Sequence, residues 1–256
     1  VQPGETFSYE FPVNQSGTYW YHAHFESWKQ VAKGLYGPLV VNDKTDDLIE
    51  DDIVILADDW RLNKNYQIDE KSFGSLMDWS HAGRIGNWLT INGKKSPQYS
   101  IKENSIARLR FINASNARIL KFGSSLKNNN IITIDGVAVK PMLVEDFTLA
   151  PGQRIDLLIN TVDLLKVDFF EISHTKQLKA FTLNVTKADN KTKNITNINF
   201  KSNLILPKLD NAKTINIRMQ GGAMGNLSKA NLDGVEKDFR TLATEDKKLW
   251  AFNKEI

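Results

Sequence analysis

The sequence predicts an all-β protein, a sandwich or barrel of short strands. Three observations lead there. Short apolar or alternating runs rich in Val, Ile, Phe and Tyr recur along the chain. Turn dipeptides separate them, at Asn92-Gly93, Asp135-Gly136 and Pro151-Gly152. No 3.6-residue periodicity is sustained over a helical length.

The elements follow in order. Residues 6–11 (T-F-S-Y-E-F) alternate and predict a half-buried strand. Residues 17–25 are aromatic-rich behind a turn glycine, and 35–41 form a short apolar run interrupted by Gly37-Pro38. The charged stretch 42–52 reads as a linker. A β-branched run at 53–57 opens a second block, with strands predicted at 88–91, 105–113, 131–134, 147–149, 154–160, 168–173 and 180–185. Residues 187–213, polar and rich in Asn, Lys and Thr, read as a linker or long surface connection. Strands return at 214–219 and 249–253, and helix is confined to short pieces at 28–32 and 231–239.

Composition narrows the chemistry. A chain of 256 residues with 41% hydrophobic and 10% aromatic residues builds a real core. The net charge is only +3, with basic and acidic residues interspersed, so no nucleic-acid partner is expected. No apolar run approaches the ~20 residues of a membrane span. There is no cysteine, which excludes disulfides, thiolate metal sites and thiol nucleophiles within these residues. Any metal site must use His, carboxylate or Met, and the histidines are four: His22, His24, His81 and His174.

His22-Ala23-His24 is the main signal. On a strand, residues i and i+2 share a face, so the two imidazoles would project together. Imidazole suits copper, zinc, iron or nickel. By itself H-x-H leaves two readings open, solvated or hydrogen-bonded histidines and metal ligands.

The flanks carry more. Residues 17–24 read G-T-Y-W-Y-H-A-H, followed by Gln30 and then G-L-Y-G-P-L-V-V at 34–41. This resembles the second copper motif of the multicopper oxidases, closest to the bacterial three-domain laccase-like, copper-resistance and manganese-oxidase type. The resemblance continues through P-G-E-T-F-S-Y at 3–9, L-A-D-D-W at 56–60, N-W-L-T-I-N-G at 87–93, R-L-R-F-I-N-A-S-N-A-R at 108–118, Asp135-Gly136, L-A-P-G-Q-R-I-D at 149–156, M-Q-G-G at 219–222 and W-A-F-N at 250–253.

The resemblance implies a cupredoxin-like Greek-key β-sandwich, one complete domain flanked by partial ones. Residues 1–44 would be the C-terminal part of domain 1, 45–187 domain 2, 188–213 a linker and 214–256 the start of domain 3. It implies copper, with His22 and His24 each binding one copper of a type 3 pair. The activity implied is one-electron oxidation of phenols, aromatic amines or metal ions, coupled to reduction of dioxygen to water, in a periplasmic or exported protein. The first H-x-H motif would lie upstream of Val1 and the C-terminal copper motifs beyond Ile256. The type 1 and type 2 sites are therefore incomplete here, and this chain alone is not expected to reduce oxygen. Two alternatives stand beside that reading: a copper-free cupredoxin-like structural protein, and a minimal copper-binding module built on His22 and His24.

Other candidates are weaker. His81 and His174 have no spaced partner ligand. Met219 and Met224 are too few for a methionine-rich copper segment. Asp58 and Asp59, adjacent on a predicted strand, face opposite sides and do not form a catalytic carboxylate pair. Trp20 falls on the histidine face and reads first as packing.

Overall fold

The structure, a computed structural model, describes residues 1–42, 49–173, 176–188 and 207–256. A two-stranded hairpin comes first, β1 (Gly17–His22) and β2 (Tyr36–Val41), with a short helix α1 (Ser27–Gln30) in its loop. β3 (Asp51–Trp60) follows, then the short helix α2 (Leu76–Ser80). Ten more strands complete the main body: β4 (Trp88–Ile91), β5 (Gln98–Lys102), β6 (Ile106–Asn113), β7 (Leu120–Ser124), β8 (Asn129–Ile134), β9 (Val137–Val144), β10 (Asp146–Leu149), β11 (Arg154–Asn160), β12 (Lys166–Glu171) and β13 (Leu178–Thr186). The last described stretch adds β14 (Met219–Gly221), β15 (Lys229–Leu232), β16 (Val235–Asp238), helix α3 (Phe239–Thr244) and β17 (Trp250–Phe252).

The main body is a sandwich of two sheets. One has six strands in the order β4-β3-β6-β11-β8-β9, the other five in the order β10-β7-β12-β13-β5. Most neighbours are antiparallel, as the turn signals predict, but β3 pairs with β6 and β13 with β5 in parallel. Those two pairs are crossovers between strands distant in sequence, which turn dipeptides do not report.

Phe111 on β6 marks the centre of the core. Its ring lies 5.0–5.9 Å from those of Phe147, Phe122, Phe169 and Phe181, all on the facing sheet. Each of these rings comes from an inward position of an alternating strand, so period-2 patterning alone assembles the cluster. Ile55, Leu109, Leu157 and Leu183 extend the same layer, all fully buried.

Several expectations need correction. Residues 6–11 are not a strand, and Phe7, Tyr9 and Phe11 are exposed. Alternation becomes a strand only when a neighbour takes its backbone hydrogen bonds, and among the described residues none does. Residues 231–239 are not a helix. Asp233 and Gly234 both adopt positive φ, 53° and 84°, and close the β15–β16 hairpin before α3 begins. Of the strand expected at 214–219 only Met219 is in a strand. The expected helix at 28–32 is α1 continued by a 3-10 turn at Val31–Lys33. His174, most of the linker expected at 188–213 and residues 43–48 lie outside the described residues.

Candidate metal centre

The β1–β2 hairpin is paired from Gly17 opposite Val41 to His22 opposite Tyr36. Pleating places Thr18, Trp20 and His22 on one face, with Tyr36 across from His22 and diagonal to Trp20. The strand ends at His22, yet the Ala23 N–H still donates to the Leu35 carbonyl at 3.1 Å. That bond prolongs the extended course far enough to bring His24 back to the same side. The two imidazoles stack, 4.9 Å between centroids and 15° between planes.

His22 is half-buried and His24 exposed. The Nδ1 of His22 lies 3.1 Å from the Ala23 carbonyl oxygen. A carbonyl only accepts, so Nδ1 carries the proton in this contact. In the neutral ring Nε2 then keeps its lone pair, the form a metal requires.

Aromatic rings continue the stack. Trp20 lies 4.5 Å from His22 at 31°, and Tyr36 meets Trp20 edge-on at 6.3 Å. The Pro151-Gly152 turn runs close to the indole. Gly152 has φ +80°, and a Cβ there would stand 3.5 Å from the Trp20 ring. The Tyr36 hydroxyl donates to Oδ2 of Asp58 in a very short hydrogen bond.

Asp58 and Asp59 both lie on β3 and are both buried, but they face apart. Asp58 accepts from Tyr36 and, through Oδ1, from the Asp59 N–H at 2.7 Å. Asp59 accepts from the Gly86 N–H at 2.5 Å and from Arg118 Nε at 2.8 Å. The two carboxylates therefore share no hydrogen-bond partner side chain, in line with strand alternation. They still feel each other's charge. Burial, aided by the Asp59 charge, pushes the Asp58 carboxyl up to about 6, against the pull of the Tyr36 hydrogen bond. Burial and the Asp58 charge push the Tyr36 hydroxyl well above the usual tyrosine range.

Thr18 docks the hairpin on the six-stranded sheet. Its Oγ1 donates to Asp156 Oδ1 at 2.7 Å and accepts from Arg110 Nη1 at 2.8 Å. Its carbonyl accepts from Arg154 Nε at 3.3 Å. Arg110 in turn grips both oxygens of Asp52, each at 2.8 Å. On the loop side, Trp28 packs edge-on against Phe73 and Trp79, and its carbonyl accepts from Asn116 Nδ2 at 2.5 Å.

His81 caps the C-terminal end of α2, with Nδ1 2.8 Å from the Met77 carbonyl. Met219 and Met224 are exposed. Among the described residues no three His, Cys, Asp or Glu side chains gather into a metal-holding group. The structure thus brings His22 and His24 together and joins His81 to neither in such a group.

Two family models, both described as multicopper oxidase, match this chain. One covers residues 1–46, the hairpin with its histidines, and the other residues 51–200, most of the chain. The chain belongs to the multicopper oxidase family. Among curated relatives, this multicopper oxidase chain is 26% identical to laccase-2 of Cryptococcus neoformans var. grubii over 73% of its own length and 35% of the relative's. It is 32% identical to laccase-3 of Thanatephorus cucumeris over 62% of its length and 30% of the relative's. It spans about a third of the length of the curated relatives it matches. A multicopper oxidase from Pseudomonas thermotolerans shares the fold, with a TM-score of 0.73, 23% identity and coverage of 86% of this chain and 53% of that one. A laccase-like multicopper oxidase from Ochrobactrum sp. gives 0.66 at 25% identity, covering 77% and 47%. These likenesses make the sandwich cupredoxin-like, the fold class expected from the motifs. Copper is the metal the family implies.

The supporting residues were not read from the sequence. Tyr36 sits in the G-L-Y-G-P-L tail, and its pairing with His22 follows only once the tail is folded back on the G-T-Y-W-Y-H strand. That register was the available signal. Thr18, Arg110 and Asp156 offered none, since their contacts join residues 92 and 138 positions apart.

Proposed function

We propose that this chain supplies His22 and His24 as ligands of a type 3 copper pair in an oxidase that couples one-electron oxidation of phenols, aromatic amines or metal ions to reduction of dioxygen to water. The observation that carries the reading is the stacked pair of imidazoles, with His22 Nδ1 committed to the Ala23 carbonyl. The donor set fits copper in kind: two imidazoles, one of them with Nδ1 engaged by a carbonyl so that its Nε2 is left for a metal. In number it is partial, so the two histidines are read as part of a ligand set completed by other residues.

Copper bound there would supply one-electron chemistry between substrate and dioxygen. The chain's own residues do the rest. The Ala23 carbonyl fixes the His22 tautomer, Trp20 covers the imidazole face, and Thr18 holds the strand on the sandwich. The Ochrobactrum relative is described with oxidase activity towards lignin model compounds and lignosulfonate, which supports the phenolic option. We read residues 1–44, 45–187 and 214–256 as parts of three successive cupredoxin domains joined by a linker at 188–213. We also place the parent protein in the periplasm or outside the cell. Among the described residues no helix is long and apolar enough to cross a membrane.

The test is copper titration of the whole oxidase that carries this chain against a chromophoric chelator, with His22→Ala, His24→Ala and His81→Ala. Copper uptake lost with either of the first two and kept with the third supports the reading. Copper uptake indifferent to His22 and His24 overturns it.

A further inference from the structure

We propose that Tyr36 and Asp58 are positioning residues that set the plane of the His22 imidazole from within the sandwich, acting through the Trp20 ring. The significance for metal binding rests on the copper reading above; the positioning itself does not.

Three features carry the inference. First, His22 is held between two rings. Trp20 precedes it and His24 follows it by two residues each on the same face, at 4.5 Å and 4.9 Å. The orientation of Trp20 therefore dictates that of His22. Second, Trp20 is itself walled in. Tyr36 meets it edge-on at 6.3 Å, and the Gly152 backbone lies close to the indole, where an added Cβ would stand 3.5 Å from the ring. Third, the Tyr36 phenol is tied to a buried group held at both of its oxygens. Asp58 is only 6% exposed, lies on β3 paired with Thr90 of β4, and has its other oxygen held by the Asp59 N–H at 2.7 Å. A hydrogen bond to a buried carboxylate is among the stronger side-chain contacts.

The sequence of contacts is thus Asp58 to Tyr36 to Trp20 to His22, from rigid sheet to ligand. Tyr36 is also the residue that pairs with His22 across the hairpin. The same tether therefore fixes the backbone at the ligand's own position. None of these groups has to touch the metal. Their effect is on the direction in which Nε2 points, and partners that orient a ligand in this way are worth 10–100-fold in metal affinity.

The test uses the full chain with its histidines isotopically labelled. In the wild type, the Trp20 ring current moves the His22 ring protons upfield of those of exposed His81. Tyr36→Phe keeps the ring but removes the hydroxyl, and Asp58→Ser withdraws the acceptor. Both are expected to let the His22 signals relax toward the His81 position, and to weaken copper binding by about tenfold in the oxidase that carries this chain. Asp58→Asn keeps an acceptor oxygen and is expected to restore the wild-type shift. Signals of the Phe111 cluster report that each variant is folded. An unchanged His22 shift in folded Tyr36→Phe or Asp58→Ser overturns the positioning role, and so does Asp58→Asn behaving like Asp58→Ser. Copper uptake that ignores His22→Ala overturns the copper reading instead and leaves the shift result standing.

Discussion

The Thr18 hydroxyl donates to the buried carboxylate of Asp156 at 2.7 Å, joining residues 138 positions apart. Through this bond a short surface hairpin becomes part of the sandwich. Thr18→Val keeps the shape and removes the hydroxyl, leaving Asp156 and Arg110 short of a partner. The expected loss is about 2 kcal/mol, the cost of stripping a hydrogen bond from a charged buried group. Thr18→Ser should recover most of it. Urea unfolding of the three proteins decides the matter, and equal stability of Val and Ser variants would refute the docking role.

Asp58 makes stability depend on pH with a defined sign. Its carboxyl is raised from an ordinary 3.8 to about 6 in the folded chain. Between those values the folded state keeps a proton that the unfolded state has released. The folded state therefore binds more protons, and this contribution to stability falls as pH rises through the window, levelling above about 6. Asp58→Asn carries no such slope. Its stability relative to wild type is expected to grow between about pH 4 and about pH 7, by no more than about 3 kcal/mol. A difference that is flat or shrinking with pH would contradict the burial of that charge.

Phe111 is fully buried and touches four other rings. Phe111→Ala opens a cavity between the two sheets and is expected to cost about 3–5 kcal/mol. Phe111→Leu should cost less. Calorimetry would show the two transitions well separated from wild type in that order.

Gly17 begins the hairpin at φ +147°, and a Cβ there would stand 2.6 Å from the backbone oxygen of Gly136. Backbone cannot swing aside as a side chain can. Gly17→Ala is therefore expected to push the hairpin off the β8–β9 turn and to speed exchange of the Ala23 amide, which bonds Leu35 across the hairpin, more than that of Leu109 in the core. Hydrogen exchange by NMR measures both.

The architecture was largely legible because it rests on short-range pattern. Alternation places Phe111, Phe169 and Phe181 inward wherever the strands happen to pair. β9 was hidden by Pro141, which is tolerated because that strand lies at the edge of its sheet. The helix expected at 231–239 is broken by Asp233-Gly234, whose positive φ angles close a hairpin. Residues 6–11 show the limit of alternation, which describes a strand's faces and not its neighbours. At the candidate site, His22 and His24 are two residues apart and so were readable together. Tyr36 to Asp58 spans 22 positions and Thr18 to Asp156 spans 138, distances over which no local periodicity carries information.

The long span between Thr18 and Asp156 also orders events in time. During synthesis His22 and His24 leave the ribosome well before β11 exists, and the hairpin has nothing to dock on until that strand has joined the sheet. Closing so long a loop is slow compared with forming a hairpin. The imidazole pair can form with its hairpin, but it takes its place on the sandwich only after β11 has joined the sheet.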